Sequence, residues 1–283
     1  MRYCDLHCDL LHKLNDFNEW ISNKEEYQVT PEDLFGGVLL QTFAVFAPNE
    51  NANMAYFEQK RLIFEQIKSY LRTRNVMAVL SVENAAFTEG KLENIRALSR
   101  AGVKSVGLVW NETNALGGAH GNREGLTAFG ESAVEEILFC GMLPDVSHLS
   151  DAGFDVVERI AKRLHKPFVA THSVARTLCA HSRNLTDGQI RAVAKSGGVT
   201  GVHFYPPFLG ARSPAEHIAY LIRKGGEESV AVGSDFDGMK NGYYSCVADA
   251  AMRLEDDLKK AGVTPRQTEL VLQKNALRVF GTL

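Results

Sequence analysis

The sequence predicts an α/β protein, a (β/α)8 barrel that forms one domain from residue 1 to residue 283. Short apolar runs alternate with stretches of helical periodicity, which is the order expected for a parallel sheet covered by helices. Eight such runs are present, and a barrel of eight strands typically needs about 250 residues. A hydrophobic content of 45% with 23% charged residues is ordinary for a folded protein and excludes global disorder.

The predicted strands are short and rich in valine and leucine, as is typical of strands that are covered on both faces. They extend over residues 2–6, 37–45, 76–80, 103–109, 143–146, 167–170, 198–202 and 230–233. No linker, low-complexity segment or internal repeat separates them. One continuous barrel therefore explains the pattern better than two domains do.

The segments between these strands are predicted to be helices. In residues 53–73, apolar residues recur at helical spacing among glutamates, lysines and arginines. The other predicted helices are residues 130–140, 151–164, 186–196, 214–223 and 248–261. Gly141, Gly197 and Gly262 follow three of them, at the position where a glycine commonly ends a helix.

A doubly wound open sheet is the structural alternative, because it has the same alternation of strands and helices. Such a sheet usually carries a glycine-rich phosphate loop after its first strand. Here the first strand is followed by His7, Cys8 and Asp9, without a glycine. The barrel is therefore favoured, and in a barrel the chemistry lies at the carboxyl ends of the strands.

Side chains suited to metal binding follow several of the predicted strands. His7 and Asp9 come after the first strand, Glu83 after the third, His148 after the fifth, His172 after the sixth and Asp235 after the eighth. Neutral imidazole and carboxylate groups are ligands of Zn²⁺ and similar ions. Any one of these residues alone would be unremarkable, but their joint occurrence at one rim predicts a metal centre. Asp235 is the predicted proton-transfer group of that centre.

The positions of these residues in the chain indicate how two ions could be held. Side chains two residues apart in an extended strand lie on the same face, so His7 and Asp9 can reach one ion. His148 and His172 come from successive strands and could hold a second ion. Glu83 has two carboxylate oxygens and could bridge the pair. Two metals about 3.5–4 Å apart can share a water and lower its pKa.

Charge and cysteine content exclude several other classes of function. With 31 basic and 34 acidic residues, the net charge of −3 gives no electrostatic signature for nucleic acid or an anionic membrane. No apolar stretch reaches the roughly 18 residues that cross a bilayer, and no secretory signal is recognisable. The five cysteines form no CxxC pair, which predicts reduced thiols. We therefore expect a cytoplasmic protein that acts on a small molecule.

With these motifs in place, the sequence resembles the renal (membrane) dipeptidase family of zinc peptidases, in its short bacterial form. The resemblance extends over nearly the whole chain, and its motifs occur in order. They are residues 5–9 (DLHCD), 83–84 (EN), 125–130 (GLTAFG), 145–148 (DVSH), 171–173 (THS), 183–184 (RN), 197–199 (GGV), 233–238 (GSDFDG) and 275–280 (NALRVF). The resemblance implies a (β/α)8 dipeptidase with two Zn²⁺ per chain, other divalent ions being acceptable.

The resemblance also implies roles for individual residues. It assigns the same ligands to the two ions, with Glu83 as the bridge and Asp235 as the group that handles the proton. Arg183 would bind the terminal carboxylate of a dipeptide, which suits a planar two-pronged donor. The family often tolerates a D-residue at the C-terminal position. In animal members a histidine after the fourth strand contacts the substrate, and Asn111 lies at or near that position, where its amide can donate a hydrogen bond.

Two other functions stay open from the sequence. Related barrel hydrolases act on a cyclic amide, a lactone or an amino-base, and many bridge two metals with a modified lysine. Lys104 lies near the start of its strand rather than the end, which favours Glu83 as the bridge. A non-catalytic barrel that binds a small acid is the other alternative, although such proteins usually lose ligands. Barrels of this kind are often homodimers, but the sequence indicates no interface residue.

The remaining histidines are expected in structural or solvated positions away from the metal centre. They are His12, His120, His165, His181 and His217. His203 follows the seventh strand, and for this residue we also consider a role on the substrate side. The aromatic segment after it, residues 204–208, is expected either to wall a pocket or to pack in the core.

Overall fold

The computed structural model describes residues 1–281 and confirms the α/β barrel. Its strands are β1 (Tyr3–Asp5), β2 (Val38–Phe46), β3 (Met77–Glu83), β4 (Val103–Gly107), β5 (Leu143–Asp145), β6 (Thr200–Val202) and β7 (Val230–Val232). All pairs are parallel, and the strand order is β5-β4-β3-β2-β1-β7-β6. Parallel pairing places the carboxyl ends of all strands at one rim.

The sixth predicted strand, residues 167–170, differs from the prediction because it forms only isolated bridges. Val169 pairs with Asp145 of β5, and Ala170 pairs with Thr200 of β6. These bridges connect the two edge strands of the sheet and close the ring. A regular ladder is hindered because Pro167 has no N–H to donate. The neighbouring strand approaches closely there and requires a glycine, since a Cβ added at Gly201 would lie 2.0 Å from the carbonyl oxygen of Thr171.

The long helices lie where the periodicity predicts them. The helices are α1 (Leu10–Lys13), α2 (Phe17–Ser22), α3 (Pro31–Gly37), α4 (Met54–Arg72), α5 (Leu92–Arg100), α6 (Ala128–Phe139), α7 (Asp151–Leu164), α8 (Asp187–Lys195), α9 (Pro206–Leu209), α10 (Pro214–Gly225), α11 (Val247–Lys260), α12 (Pro265–Glu269) and α13 (Asn275–Phe280). Short 3₁₀ turns cover Lys24–Glu26, Ala85–Thr88 and Glu227–Ser229, and a π-helical turn covers Leu270–Lys274.

Local signals explain where these helices begin and end. Asn53 caps α4 by accepting a hydrogen bond from the N–H of Tyr56, and Thr186 forms a capping box with Gln189 at the start of α8. Gly141 and Gly197 have φ angles of +77° and +85° just beyond their helices, a conformation that favours glycine. The predicted helix ends are therefore confirmed to within a few residues.

The apolar core has two parts. The larger part packs the outside of the sheet against the helices. The smaller part takes residues from positions all around the ring, including Leu40, Val79, Leu143 and Val199, which can meet only inside the barrel. Phe280 of α13 packs against this inner cluster. Within residues 1–281, no helix combines the length and the apolar character needed to cross a membrane.

Candidate metal centre

The first half of the centre is built at the end of β1. The Nε2 atom of His7 lies 3.5 Å from Oδ2 of Asp9 and 3.3 Å from Oε2 of Glu83. All three side chains are buried. The buried Asp5 fixes this strand end, because its Oδ1 accepts hydrogen bonds from the N–H groups of His7 (3.3 Å) and Ser234 (2.8 Å). The ends of β1 and β7 are thereby held together.

The second half comes from the opposite side of the rim. The Nε2 atom of His148 lies 2.9 Å from Oε1 of Glu83, and the Nε2 atom of His172 lies 3.5 Å from the same oxygen. The two imidazole nitrogens are 2.9 Å apart. Glu83 thus turns one oxygen toward His7 and the other toward His148 and His172. This is the arrangement that a bridging carboxylate requires.

These residues fit one or more divalent cations. His7, Asp9 and Glu83 form one group of potential ligand atoms within 4.8 Å of one another, and Glu83, His148 and His172 form a second. The Nε2 of His7 and the Oδ1 of Asp9 are buried without a hydrogen-bond partner. Buried polar atoms are rarely left unpaired, because the unmet hydrogen bond is costly. Imidazole and carboxylate donors in this number suit Zn²⁺.

Neighbouring side chains set the tautomer of His172. The hydroxyl of Thr171 donates to Oδ2 of Asp145, so its oxygen can only accept from the Nδ1 of His172 at 2.9 Å. The ring proton therefore sits on Nδ1, and the lone pair of Nε2 faces Glu83. Fixing a ligand histidine through its other nitrogen is how proteins orient metal ligands.

Two residues of the centre have backbones in the left-handed region. His148 has φ = 66° and Asp235 has φ = 67°. Residues other than glycine adopt this region at an energetic cost, and such strain is concentrated at functional sites. Each of these strained residues turns its side chain toward the same centre: Oδ1 of Asp235 lies 3.8 Å from Nε2 of His7.

Charge is distributed unevenly over the centre. Burial by itself lowers the pKa of His7, but the neighbouring Asp9 and Glu83 raise it well above the ordinary value. Burial and the nearby Arg183 lower the pKa of His148 to about 3. Burial and the neighbouring Asp9 raise the pKa of Asp235 well above its ordinary value. The carboxylates are concentrated around His7, and the arginine lies on the side of His148.

A pocket of about 350 Å³ opens directly onto this centre. Its floor includes Asp9, Glu83, His148 and Asp235, and its walls include Phe46, Trp110, Asn111, Tyr205, Phe208, Gly238, Met239 and Lys240. The volume lies at the lower end of the range typical of small-molecule sites. Tyr205 and Phe208 belong to the segment 204–208, which the sequence predicts either to wall a pocket or to pack in the core, whereas no sequence motif marks Trp110.

Arg183 is close to the centre but does not line this pocket. Its Nη1 donates to Oγ of Ser173 (3.0 Å) and its Nη2 to the carbonyl oxygen of His172 (2.9 Å). Its Nε is buried without a partner. Burial lowers the pKa of Arg183 to about 10, so the side chain stays charged at neutral pH. The guanidinium therefore braces the backbone of one predicted ligand, His172.

Asn111 and His120 lie together beside His148. The Oδ1 atom of Asn111 is 2.9 Å from Nδ1 of His148 and 3.2 Å from Nε2 of His120. The prediction that His120 lies away from the centre is therefore wrong. No motif marks this residue, because its contact depends on how the loop between β4 and α6 folds back over the rim. His217 is structural as expected, since its ring bonds to the backbone of Ala175 and Leu209.

His203 and Asp237 have roles mainly in the scaffold. The Nδ1 of His203 accepts from the N–H of Tyr205 at 3.2 Å, and its buried ring packs against Phe208. Asp237 accepts from Lys13 (2.9 Å) and from the backbone N–H of Gln28 (3.0 Å). Asp235 and Asp237 therefore have different roles, since only Asp235 lines the pocket.

A parallel barrel with clustered histidines and carboxylates at the carboxyl ends of its strands defines a metallohydrolase-type protein. The sequence model of the membrane dipeptidases, peptidase family M19, matches residues 63–283. The chain belongs to this family. His7 and Asp9 precede the matched segment, and the barrel brings them to the residues within it.

Curated proteins from bacteria, fungi and mouse are similar to much of the chain. An uncharacterized protein encoded in the pqqA 5' region of Klebsiella pneumoniae is 35% identical over 228 residues, which are 74% of this chain and 83% of that protein. The chain spans about half the length of the fungal and mouse dipeptidases that it also matches.

Two solved structures share the fold over their whole length. The crystal structure of dipeptidase AC, a metallopeptidase of family M19, has a TM-score of 0.86 at 23% identity, covering 100% of this chain and 99% of that one. A metallopeptidase from Rhodobacter sphaeroides, liganded with a phosphinate mimic of the dipeptide L-Ala-D-Ala, has a TM-score of 0.83 at 22% identity. It covers 99% of this chain and 98% of the other.

Proposed function

We propose that this protein is a zinc-dependent dipeptidase that hydrolyses the single peptide bond of L-L and L-D dipeptides. The observation that carries the proposal is the position of Glu83, which shares its two oxygens between His7 on one side and His148 and His172 on the other. This arrangement is suited to two ions held side by side at the floor of a pocket. When bound, such ions supply an activated water and polarise the carbonyl group of the substrate.

The side chains of the chain itself perform the remaining tasks. Asp235 lines the pocket and takes the proton of the attacking water, then passes it to the nitrogen of the leaving amine. The Oδ1 of Asn111 already accepts from two imidazoles, which leaves its Nδ2 as the donor for the substrate carbonyl. Arg183 lies buried behind the pocket and provides positive charge that favours the terminal carboxylate of the substrate.

The pocket size and its aromatic walls limit what can enter. A volume of about 350 Å³ accommodates a dipeptide and excludes a folded polypeptide. Only in a substrate this short do the free amino group and the free carboxylate lie close together. The carboxylates near His7 and the charge of Arg183 can then both interact with the same molecule. L-D pairs are included because the Rhodobacter sphaeroides relative was solved with a mimic of L-Ala-D-Ala.

The test is hydrolysis of a panel of L-L and L-D dipeptides by zinc-reconstituted protein, with a chelated sample as the control. We expect cleavage that requires the metal. Absence of cleavage by protein that holds two ions would contradict a dipeptidase and point instead to a cyclic amide, a lactone or an amino-base. Lys104 does not favour that alternative, because it is the second residue of β4, at the end opposite the pocket. Protein that cannot be loaded with zinc would indicate a non-catalytic barrel.

A further inference from the structure

A chain of four polar side chains leads from the loop before α8 to the metal centre. The Oγ of Ser182 is 3.0 Å from Nδ1 of His120, and the Nε2 of His120 is 3.2 Å from Oδ1 of Asn111. The same oxygen of Asn111 is 2.9 Å from Nδ1 of His148. These residues come from three separate segments of the sequence, and none but His148 is a proposed metal ligand.

The chemistry of the amide fixes the direction of these hydrogen bonds. An amide oxygen only accepts, so both imidazole nitrogens that face Oδ1 of Asn111 must carry protons. The proton of His148 therefore sits on Nδ1, and the lone pair of its Nε2 faces Glu83 at 2.9 Å. His120 has its proton on Nε2, so its Nδ1 accepts from the hydroxyl of Ser182. Every hydrogen bond in the chain therefore pairs one donor with one acceptor.

The two histidines of the second half are held in different ways. His172 is oriented by the adjacent Thr171, which bonds to the buried Asp145. His148 has a backbone in the left-handed region, and the side-chain contact that fixes its Nδ1 comes from Asn111 in a distant loop. The ligand geometry of His148 therefore depends on the fold of the loop between β4 and α6.

We infer that Asn111 and His120 are positioning residues that set the tautomer of His148 and thereby the affinity of the second metal position. The inference rests on the proposed pair of ions, but not on the nature of the substrate. Ser182 anchors the outer end of the chain. It is adjacent to Arg183, which braces the backbone of His172, so residues 182–183 support both histidines of this half.

The test measures zinc binding rather than turnover. Wild-type protein and the variants Asn111→Ala, Asn111→Asp and Ser182→Ala are titrated with zinc against a chromophoric chelator. For Asn111→Ala we expect the second ion to bind about 10- to 100-fold more weakly, with the first ion unchanged. Asn111→Asp keeps an oxygen acceptor and should restore wild-type occupancy. Ser182→Ala acts on His148 only indirectly, through His120 and Asn111. It should weaken binding of the second ion only about threefold, within the general range for one hydrogen bond.

Asn122→Ala is the matched control. Asn122 is in the same loop and bonds to Oγ1 of Thr113 at 3.2 Å, outside the chain that leads to His148. Wild-type affinity for both ions in Asn111→Ala would overturn the inference. Equal loss of both ions, or loss of the second ion in Asn122→Ala as well, would also overturn it, because a general role in loop folding would then explain the effect.

The two proposals can fail independently. Selective loss of the second ion in a protein that cleaves no dipeptide would support the role of Asn111 and reject the dipeptidase. A dipeptidase whose Asn111→Ala variant binds both ions normally would reject only the positioning role.

Discussion

The two halves of the metal centre share Glu83 but differ in their electrostatic surroundings. Around His7 lie Asp9, Glu83 and Asp235, all within 3.8 Å of its Nε2. Around His148 and His172 lie one oxygen of Glu83 and the charge of Arg183, and His172 also has His7 and Asp235 beside it. Accordingly, the pKa of His7 is raised by its carboxylate neighbours against the effect of burial, whereas burial and Arg183 lower the pKa of His148.

This difference shows that the type of ligand alone does not define a metal position. The imidazole of His7 and those of His148 and His172 stand a few ångströms apart, and the fixed charges behind them influence how strongly each position favours a cation. The first half is held by carboxylates that follow β1 and β3. The second half depends on the loops that carry Arg183 and Asn111. The predictions below test this asymmetry, beginning with the residue that both halves share.

Replacing Glu83 by Gln should abolish metal binding in both halves of the centre. An amide has one oxygen and no charge, so it cannot bridge two cations. We expect both ions to be lost and dipeptide hydrolysis to fall at least about a thousandfold, as expected when several kcal/mol of metal assistance disappear. Zinc per chain and turnover are the measurements. Glu131→Gln, in an exposed ion pair with Arg159, is the control. Retention of both ions would require a different bridge.

Replacing Asp235 by Asn should separate proton transfer from metal binding. The amide keeps the size of the side chain but cannot carry a proton between water and the leaving amine. Turnover should fall by about 10²- to 10⁴-fold with the zinc content unchanged. Asp235 lies within ligand distance of His7 and His172, so the zinc measurement is decisive. If an ion leaves with the substitution, Asp235 belongs to the first half as a ligand.

Replacing Asp237 by Asn should affect stability rather than activity. Its carboxylate accepts from Lys13, Gln28 and Val29, which ties the β7 loop to the segment before α3. Asn tolerates the positive φ at this position, so the substitution tests the charge and not the backbone. The free energy of unfolding in urea should fall by about 1–3 kcal/mol. The exposed Asp256→Asn is the control. Loss of zinc or turnover in folded Asp237→Asn would contradict this assignment.

Much of the fold and the ligand set could be predicted because both depend on regular periodicities. Buried parallel strands are short valine- and leucine-rich runs, and parallel pairing brings their carboxyl ends together, so His7, Glu83 and His172 converge. The resemblance to the family could add Arg183 from its motif. It could not show that both terminal nitrogens of Arg183 are already engaged within the protein.

The parts that could not be predicted depend on irregular backbone. His120 reaches Asn111 through a loop whose path follows no period, so its sequence position carries no signal. The sixth strand reads as an apolar run, but it begins at Pro167, which has no N–H to donate, and it forms only two bridges. The contact between Asn111 and His148 likewise follows from the fold of that loop.

The asymmetry of the two halves should be visible in the order in which the ions leave. Zinc-loaded protein is titrated with a chelator, and zinc per chain is followed. We expect two steps about tenfold apart in chelator concentration, because one additional partly screened charge near an ion is worth about 1–2 kcal/mol. The ion released first should be the one at His148 and His172, since Arg183 opposes a cation there. His148→Ala should therefore remove the early step and leave the late one. A single step in the wild type would mean that the fixed charges do not separate the two positions.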